Sequence, residues 1–193
     1  EDTNPDGPQN FAFTSAGLVP PTFALDDDAD AALPNFRYFG NVLPGNYTMI
    51  ENILPGFKLT NLLCIDPDNG TQINLVSRVA TIDLDSGESI TCTYTNTRTG
   101  TITIIKDTNP NGPQNFGYST TGGLIPINFT LDDDSDAVLP NTRIYSNILP
   151  GTYTITENVV AGFILTNLVC SDPDNGTTVN LATRAATIDV DAG

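Results

Sequence analysis

The chain has 193 residues, 23 acidic side chains against 7 basic ones and no histidine, giving a formal charge of −16. A polyanion repels nucleic acid, so that partner is excluded, and without histidine the Ser-His and Cys-His nucleophile systems are absent, leaving an enzyme as the weakest functional class. No apolar run approaches the roughly 20 residues of a membrane span, and Glu1 opens a charged turn sequence rather than a basic and then apolar leader, which reads as a mature or internal segment.

From the N-terminus, Asp2-Thr3-Asn4-Pro5-Asp6-Gly7 is a turn-forming run, and an acidic stretch follows at Asp26, Asp27, Asp28 and Asp30. Leu43-Pro44-Gly45 places Pro and Gly side by side between two strand-like runs, which predicts a tight hairpin over a type II turn with glycine at the positive φ. Phe57-Lys58-Leu59-Thr60 predicts a strand, Asp66-Pro67-Asp68-Asn69-Gly70 a turn, and Glu88–Thr95 and Gly100–Ile105 two further strands around a polar linker. Thereafter the chain repeats itself. Residues 25–87 align without gaps on residues 131–193 at an offset of 106, and Asp2-Thr3-Asn4-Pro5 falls on Asp107-Thr108-Asn109-Pro110 at an offset of 105.

The unit of about 105 residues suits a single β-sandwich. With alternating runs and no sustained helical period, the sequence predicts an all-β protein: two tandem immunoglobulin-like or prealbumin-like antiparallel sandwiches over residues 1–97 and 98–193. The first lacks the counterpart of Gly100–Ile105 and the second the counterpart of Glu88–Thr95. Either the chain is a window on a longer array, or neighbouring chains supply the strands. Alternating strand direction predicts that the Asp2, Asp26 and Glu51-Asn52 loops share one end of a unit, with the Asp66 loop at the other.

Three stretches together resemble bacterial cell-surface repeat domains of the SpaA-like prealbumin fold, related to CnaB-type stalk modules. They are Thr101-Ile102-Thr103-Ile104-Ile105-Lys106-Asp107; Leu149-Pro150-Gly151-Thr152-Tyr153-Thr154-Ile155-Thr156-Glu157 with Gly162-Phe163; and Cys92-Thr93-Tyr94-Thr95-Asn96-Thr97. The resemblance implies a sandwich used as a mechanical spacer in stalks, pili and adhesins. It also implies an isopeptide bond between a first-strand lysine and a last-strand Asn or Asp, assisted by an acid matching Glu51 or Glu157. The match is partial: Lys106 and Glu157 fit, the counterpart of Asn96 is absent from the second copy, and Glu1 stands at the lysine position of the first. A surface position for Lys106 is the plainer expectation.

The repeat also accounts for three cysteines: Cys64 pairs with Cys92, and Cys170 matches Cys64 with its partner in the absent segment, buried free thiols being the alternative. Such a bond adds about 3 kcal/mol in the loop-entropy description and implies an oxidising, extracellular, cell-surface setting.

The pattern Asp2, Asn4, Asp6 before Gly7, repeated as Asp107, Asn109, Asn111 before Gly112, fits the first half of a calcium loop without its closing Glu. Calcium wants 6 to 8 oxygens, and Asp26, Asp27, Asp28 and Asp30, repeated as Asp132, Asp133, Asp134 and Asp136, are expected at the same end. Asp66 and Asp68, repeated as Asp172 and Asp174, form a second candidate site, the alternative being that all are turn formers. Glycan acceptors are Asn69 and Asn175, at equivalent turns, with Asn46 and Asn128 as unmatched sequons. The expected function is a calcium-binding structural segment of an extracellular fibre, stalk or pilus-like filament, partnered by other copies of the repeat and possible covalent glycans. The alternative is an adhesin module binding glycans or host proteins through its calcium-bearing loops.

Overall fold

The computed structural model describes residues 1–28, 32–134 and 138–192. Its contacts divide it into two units, Glu1–Arg98 and Thr99–Asp191. Among the described residues every regular element is a strand.

In unit 1 one sheet has the order β3-β2-β4-β7-β6, from Thr22–Leu25, Phe11–Ala16, Gly45–Glu51, Val79–Leu84 and Gln72–Asn74. The facing sheet has the order β1-β8-β5, from Asp2–Asn4, Thr91–Arg98 and Phe57–Ile65. Period-two alternation builds the core: β2 reads buried, exposed, buried along Phe11–Ala16, so Phe11, Phe13 and Ser15 point inward. Phe11 meets Phe57 edge-on at 5.3 Å and Phe13 meets Tyr94 edge-on at 5.2 Å, which couples the two sheets. The disulfide Cys64–Cys92 ties β5 to β8 at a directly paired position. Most pairing is antiparallel, but β1 runs parallel to β8 with Asp2 opposite Thr95 and Asn4 opposite Thr97.

Unit 2 repeats the larger sheet as β11-β10-β13-β15-β14, from Asn128–Leu131, Phe116–Thr121, Gly151–Glu157, Ala185–Val190 and Thr178–Asn180. Its second sheet contains β12 (Thr142–Ile148) and β9 (Gly100–Ile105). The stacked pair Tyr118 and Phe129 and the buried Phe116, Leu124 and Leu131 fill its core.

The Leu-Pro-Gly sequences do not form the expected hairpins. β12 pairs with β9, whereas β13 pairs with β10 and β15, so Leu149-Pro150 arches from one sheet to the other. Nor does glycine occupy the left-handed position of a type II turn. Gly45 and Gly151 open their strands at φ of 152° and 151°, while Asn41 and Asn147 take the left-handed φ of 57° and 56°. The arch is closed by the tyrosine two residues beyond each glycine: Tyr47 donates to the Leu43 carbonyl and Tyr153 to that of Leu149, both at 2.6 Å.

The two copies are completed differently. Residues 163–171, the counterpart of β5, form no strand in unit 2, and residues 36–42, the counterpart of β12, form none in unit 1. Each lacks within the chain the neighbour that its counterpart has. Where β5 pairs with β8, Leu59 and Leu62 are buried; their counterparts Leu165 and Leu168 are half-exposed. Hydrogen exchange followed by NMR is therefore expected to show amides of 57–65 and 142–148 exchanging on the order of 100-fold more slowly than those of 163–171 and 36–42. Equal rates in the paired and unpaired copies would contradict this.

Candidate functional site: a buried carboxylate centre and acidic turns

Each unit buries one glutamate at the end of the strand after the arch. In unit 1 it is Glu51, 1 % exposed at the end of β4, and in unit 2 Glu157 at the end of β13. A buried carboxylate needs a cation or several donors, since desolvation otherwise drives it neutral. Arg78 donates to Glu51 Oε2 at 2.7 Å and Arg184 to Glu157 Oε1 at 2.7 Å. Both arginines hold a left-handed φ of about 60°, an unfavourable conformation for a side chain of this kind, and both backbone carbonyls accept from the amide of the same glutamate. The turn is thus held by side chain and main chain together. Reasoning from the sequence missed these arginines, although each follows an Asn-Leu-x-x-Arg turn at equivalent positions.

What surrounds the glutamate differs between copies. In unit 2, Lys106 is buried rather than on the surface: its Nζ lies 2.9 Å from Glu157 Oε2 and 3.9 Å from the centroid of Phe116, and Tyr118 donates to the same oxygen at 3.0 Å. Its aliphatic stem fits the core, and its charge is met by the carboxylate. In unit 1 the lysine position holds Glu1, and Asn96 from β8 donates its amide to Glu1 Oε1 at 3.0 Å and, in a very short contact, to Glu51 Oε1. The parts of an amide-forming set are divided between the copies: carboxylate and Asn in one, carboxylate and lysine in the other.

The electrostatics follow the exchange. Burial is the largest influence on Glu157 and raises it, but Lys106 and Arg184 outweigh burial and hold its carboxyl below the ordinary range. Burial pushes Glu51 up, with Arg78 only partly offsetting it. Burial and the neighbouring Glu51 push Glu1 up from 4.5 to about 8, against the hydrogen bond from Asn96.

The acidic turns divide into two kinds. At the end shared with Glu51, Thr3 donates its amide to Asp27 Oδ2 at 2.9 Å, and Thr108 to Asp133 Oδ2 at 2.8 Å. Asp26 and Asp132 are buried, and Gly112 donates to the Asp133 carbonyl. The Asp2 and Asp26 loops therefore do meet, and Asp27 and Asp133 are engaged in holding backbone. Asp2, Asn4, Asp6, Asp107, Asn109 and Asn111 are exposed, Asp28 and Asp134 are half-buried, and Asp30 and Asp136 lie outside the described residues.

At the opposite end, Asp66, Asp68 and Glu88 in unit 1 and Asp174, Asp189 and Asp191 in unit 2 each bring three carboxylate oxygens within 4.8 Å of one another. Glu88, Asp189 and Asp191 were not anticipated; the first lies on the approach to β8 and the others at the end of β15, so only the folded sheet brings them to the turns. Asp66 is held down at about 2 by hydrogen bonds from Thr71 and from the Asp68 backbone, and Asp172 accepts likewise from Thr177 at 2.8 Å. Asp191 is pushed up by sharing a proton with, and facing the charge of, Asp174. The sequon residues Asn46, Asn69, Asn128 and Asn175 are all exposed.

Because Glu1 is raised, unit 1 gains stability that is complete below about pH 4.5 and is lost as pH rises through about 8; because Glu157 is lowered, its contribution in unit 2 is present above its ordinary range and lost as pH falls below it. Urea unfolding followed by residue-resolved NMR at about pH 5 and about pH 8.5 is expected to show unit 1 weakening at the higher pH and Glu1→Gln reducing that trend, the raised Glu51 retaining the remainder. A unit 1 midpoint independent of pH would contradict it.

The sequence pattern of the prealbumin-like fold domain family, of SpaA type, matches residues 1–98 and again 102–193. No curated protein and no solved structure matches the chain.

Proposed function

The chain belongs to the prealbumin-like fold domain family, and from that membership we propose that it is a non-catalytic structural segment of an extracellular, cell-surface fibre, stalk or pilus-like filament. The observation that carries this reading is the parallel pairing of β1 with β8. The first and last strands of unit 1 are neighbours running the same way, so the unit's two ends emerge at opposite ends of the pair. Tension applied there acts along the strands and loads their hydrogen bonds together, in shear. The disulfide reinforces the same sheet by fastening β8 to β5.

A pull on both termini in single-molecule force spectroscopy is expected to unfold unit 1 in one discrete event. The loop closed by Cys64 and Cys92, 28 positions apart in sequence, stays locked until the disulfide is reduced. Reduction should lengthen that event by about 90–100 Å. Gradual extension without a discrete event would count against a mechanical role.

Calcium binding is the second part of the proposal. The clustered oxygens at Asp66, Asp68 and Glu88 and at Asp174, Asp189 and Asp191 support it, since hard cations take several oxygens and relieve such repulsion. The exposed Asp2, Asn4 and Asp6 and their repeats are further candidate ligands. Added calcium is expected to raise the melting temperature, by linkage worth about 2.7 kcal/mol at a hundredfold excess over the dissociation constant. Chelation should reverse the rise, and Glu88→Gln with Asp191→Asn should diminish it. A melting temperature indifferent to calcium would leave these turns as solvated acids. The exposure of Asn69 and Asn175 at equivalent turns supports covalent glycans there, checked by intact mass of the native protein.

A further inference from the structure

Each five-stranded sheet has two edges, and the two are defended differently. The β3 edge, Thr22–Leu25, is preceded by Pro20 and Pro21 and followed by Asp26; its counterpart β11, Asn128–Leu131, comes after Pro126 and runs into Asp132 and Asp133. Proline removes a donor and a charge repels an added strand, so these edges resist pairing. The opposite edges, β6 at Gln72-Ile73-Asn74 and β14 at Thr178-Val179-Asn180, carry neither proline nor charge, in a chain of net charge −16. Each pairs with one neighbour, β7 or β15, and among the described residues no other backbone hydrogen bond reaches either strand.

The side chains give these edges an apolar margin. Ile73 stands opposite the fully buried Ala80, on the core side of the sheet, yet is 50 % exposed, and Val76 beyond it is 96 % exposed. Val179 repeats this in unit 2, opposite the buried Ala186 and 46 % exposed, with Leu181 beyond it. The turn after each strand is held in shape, since Asn74 Oδ1 accepts the Ser77 amide at 3.0 Å and Asn180 Oδ1 that of Thr183 at 3.1 Å. A shallow groove of about 330 Å³ follows the unit 1 edge, lined by Gln72, Ile73, Asn74 and Thr81 among others. An ordered, uncharged, half-apolar edge is a template for a further strand.

We propose that this edge is a lateral contact between two copies of the chain, in which β6 of one pairs antiparallel with β6 of the other, and that β14 offers the same contact in unit 2. With a two-fold axis at the middle residue, Ile73 faces its own equivalent and Gln72 faces Asn74, so the exposed isoleucines cover one another. Charge selects the direction. The turn before β6 holds Asp66 and Asp68, Asp66 Oδ2 accepting the Thr71 amide at 2.7 Å, whereas the charge that follows β6 is Arg78, turned onto Glu51. Antiparallel pairing sets the acidic turn against the uncharged Leu75-Val76-Ser77; parallel pairing would set carboxylates against carboxylates. Because both copies are strongly acidic, the contact is opposed at long range and strengthens as salt screens the repulsion. Chains joined in this way lie side by side, through strands that each unit already contains.

The test is sedimentation equilibrium of the 193-residue chain, its free thiol alkylated and EDTA present, over roughly 10 µM to 1 mM, the range suited to a short contact. A monomer–dimer equilibrium is expected, tighter at about 0.5 M than at about 0.05 M sodium chloride. Amide exchange at residues 72–74 and 178–180 should slow as the dimer forms. Ile73→Lys with Val179→Lys should weaken the dimer about tenfold or more, as should Ile73→Glu with Val179→Glu, while an equimolar mixture of the two variants should restore it, because opposite charges then face each other. A chain monomeric at 1 mM, a Lys variant that associates undiminished, a mixture no tighter than its parts, or a dimer whose edge amides stay unprotected would overturn the proposal. Association that vanishes in EDTA would assign the contact to the acidic turns instead. A chain that stays monomeric while a synthetic Lys-Val repeat peptide protects residues 72–74 would give the edge to a basic strand and overturn the choice of a second copy. The force response of a single chain is independent of this contact, so the mechanical role stands or falls separately.

Discussion

A strand's backbone donors and acceptors must be met by a neighbour, and this requirement governs the whole molecule. The two copies share most of their sequence, yet β5 exists in one and its counterpart does not in the other, while the reverse holds for β12. Intrinsic preference cannot explain that, because Phe-x-Leu-Thr-Asn-Leu at 57–62 and at 163–168 has the same apolar spacing. What differs is whether β8 or β9 is there to pair. Burial follows pairing: leucines buried on β5, which pairs with β8, have half-open counterparts in the other copy. Pairing, rather than local sequence alone, therefore decides which segments become strands.

The buried glutamate is the polar counterpart of the same constraint. Removing one member of such a group leaves an uncompensated charge, a loss on the order of 3–5 kcal/mol. Arg78 and Arg184 prevent that by gripping the carboxylate with guanidinium and carbonyl, at the expense of a left-handed backbone. The exchange of Lys106 for Glu1 then reverses the local electrostatics without altering the frame. Two copies of one scaffold thus hold opposite charge balances at the same place.

Much of this was legible in the sequence. Self-alignment exposed the period and the pairing of Cys64 with Cys92, and the alternating runs exposed the all-β class, because each depends on pattern or parity. The arch at Leu149-Pro150 was not legible, since a short Pro-Gly connection looks alike whether it joins neighbours in one sheet or crosses to another. The burial of Lys106 was hidden because a long side chain declares its charge in sequence, and only the fold reveals Glu157 and Phe116 around it. The acidic clusters were half legible. Asp66, Asp68 and Asp174 are apparent in their turns, but Glu88, Asp189 and Asp191 come from chain segments that only sheet pairing brings near.

The account's central claim is that this sequence forms a strand only where a neighbouring strand pairs with it. Its most direct test is the chain extended after Gly193 by a second copy of residues 88–99, followed by residue-resolved amide exchange. The account predicts that residues 163–171 become as protected as residues 57–65. Residues 163–171 remaining unprotected in the folded, extended chain would contradict it.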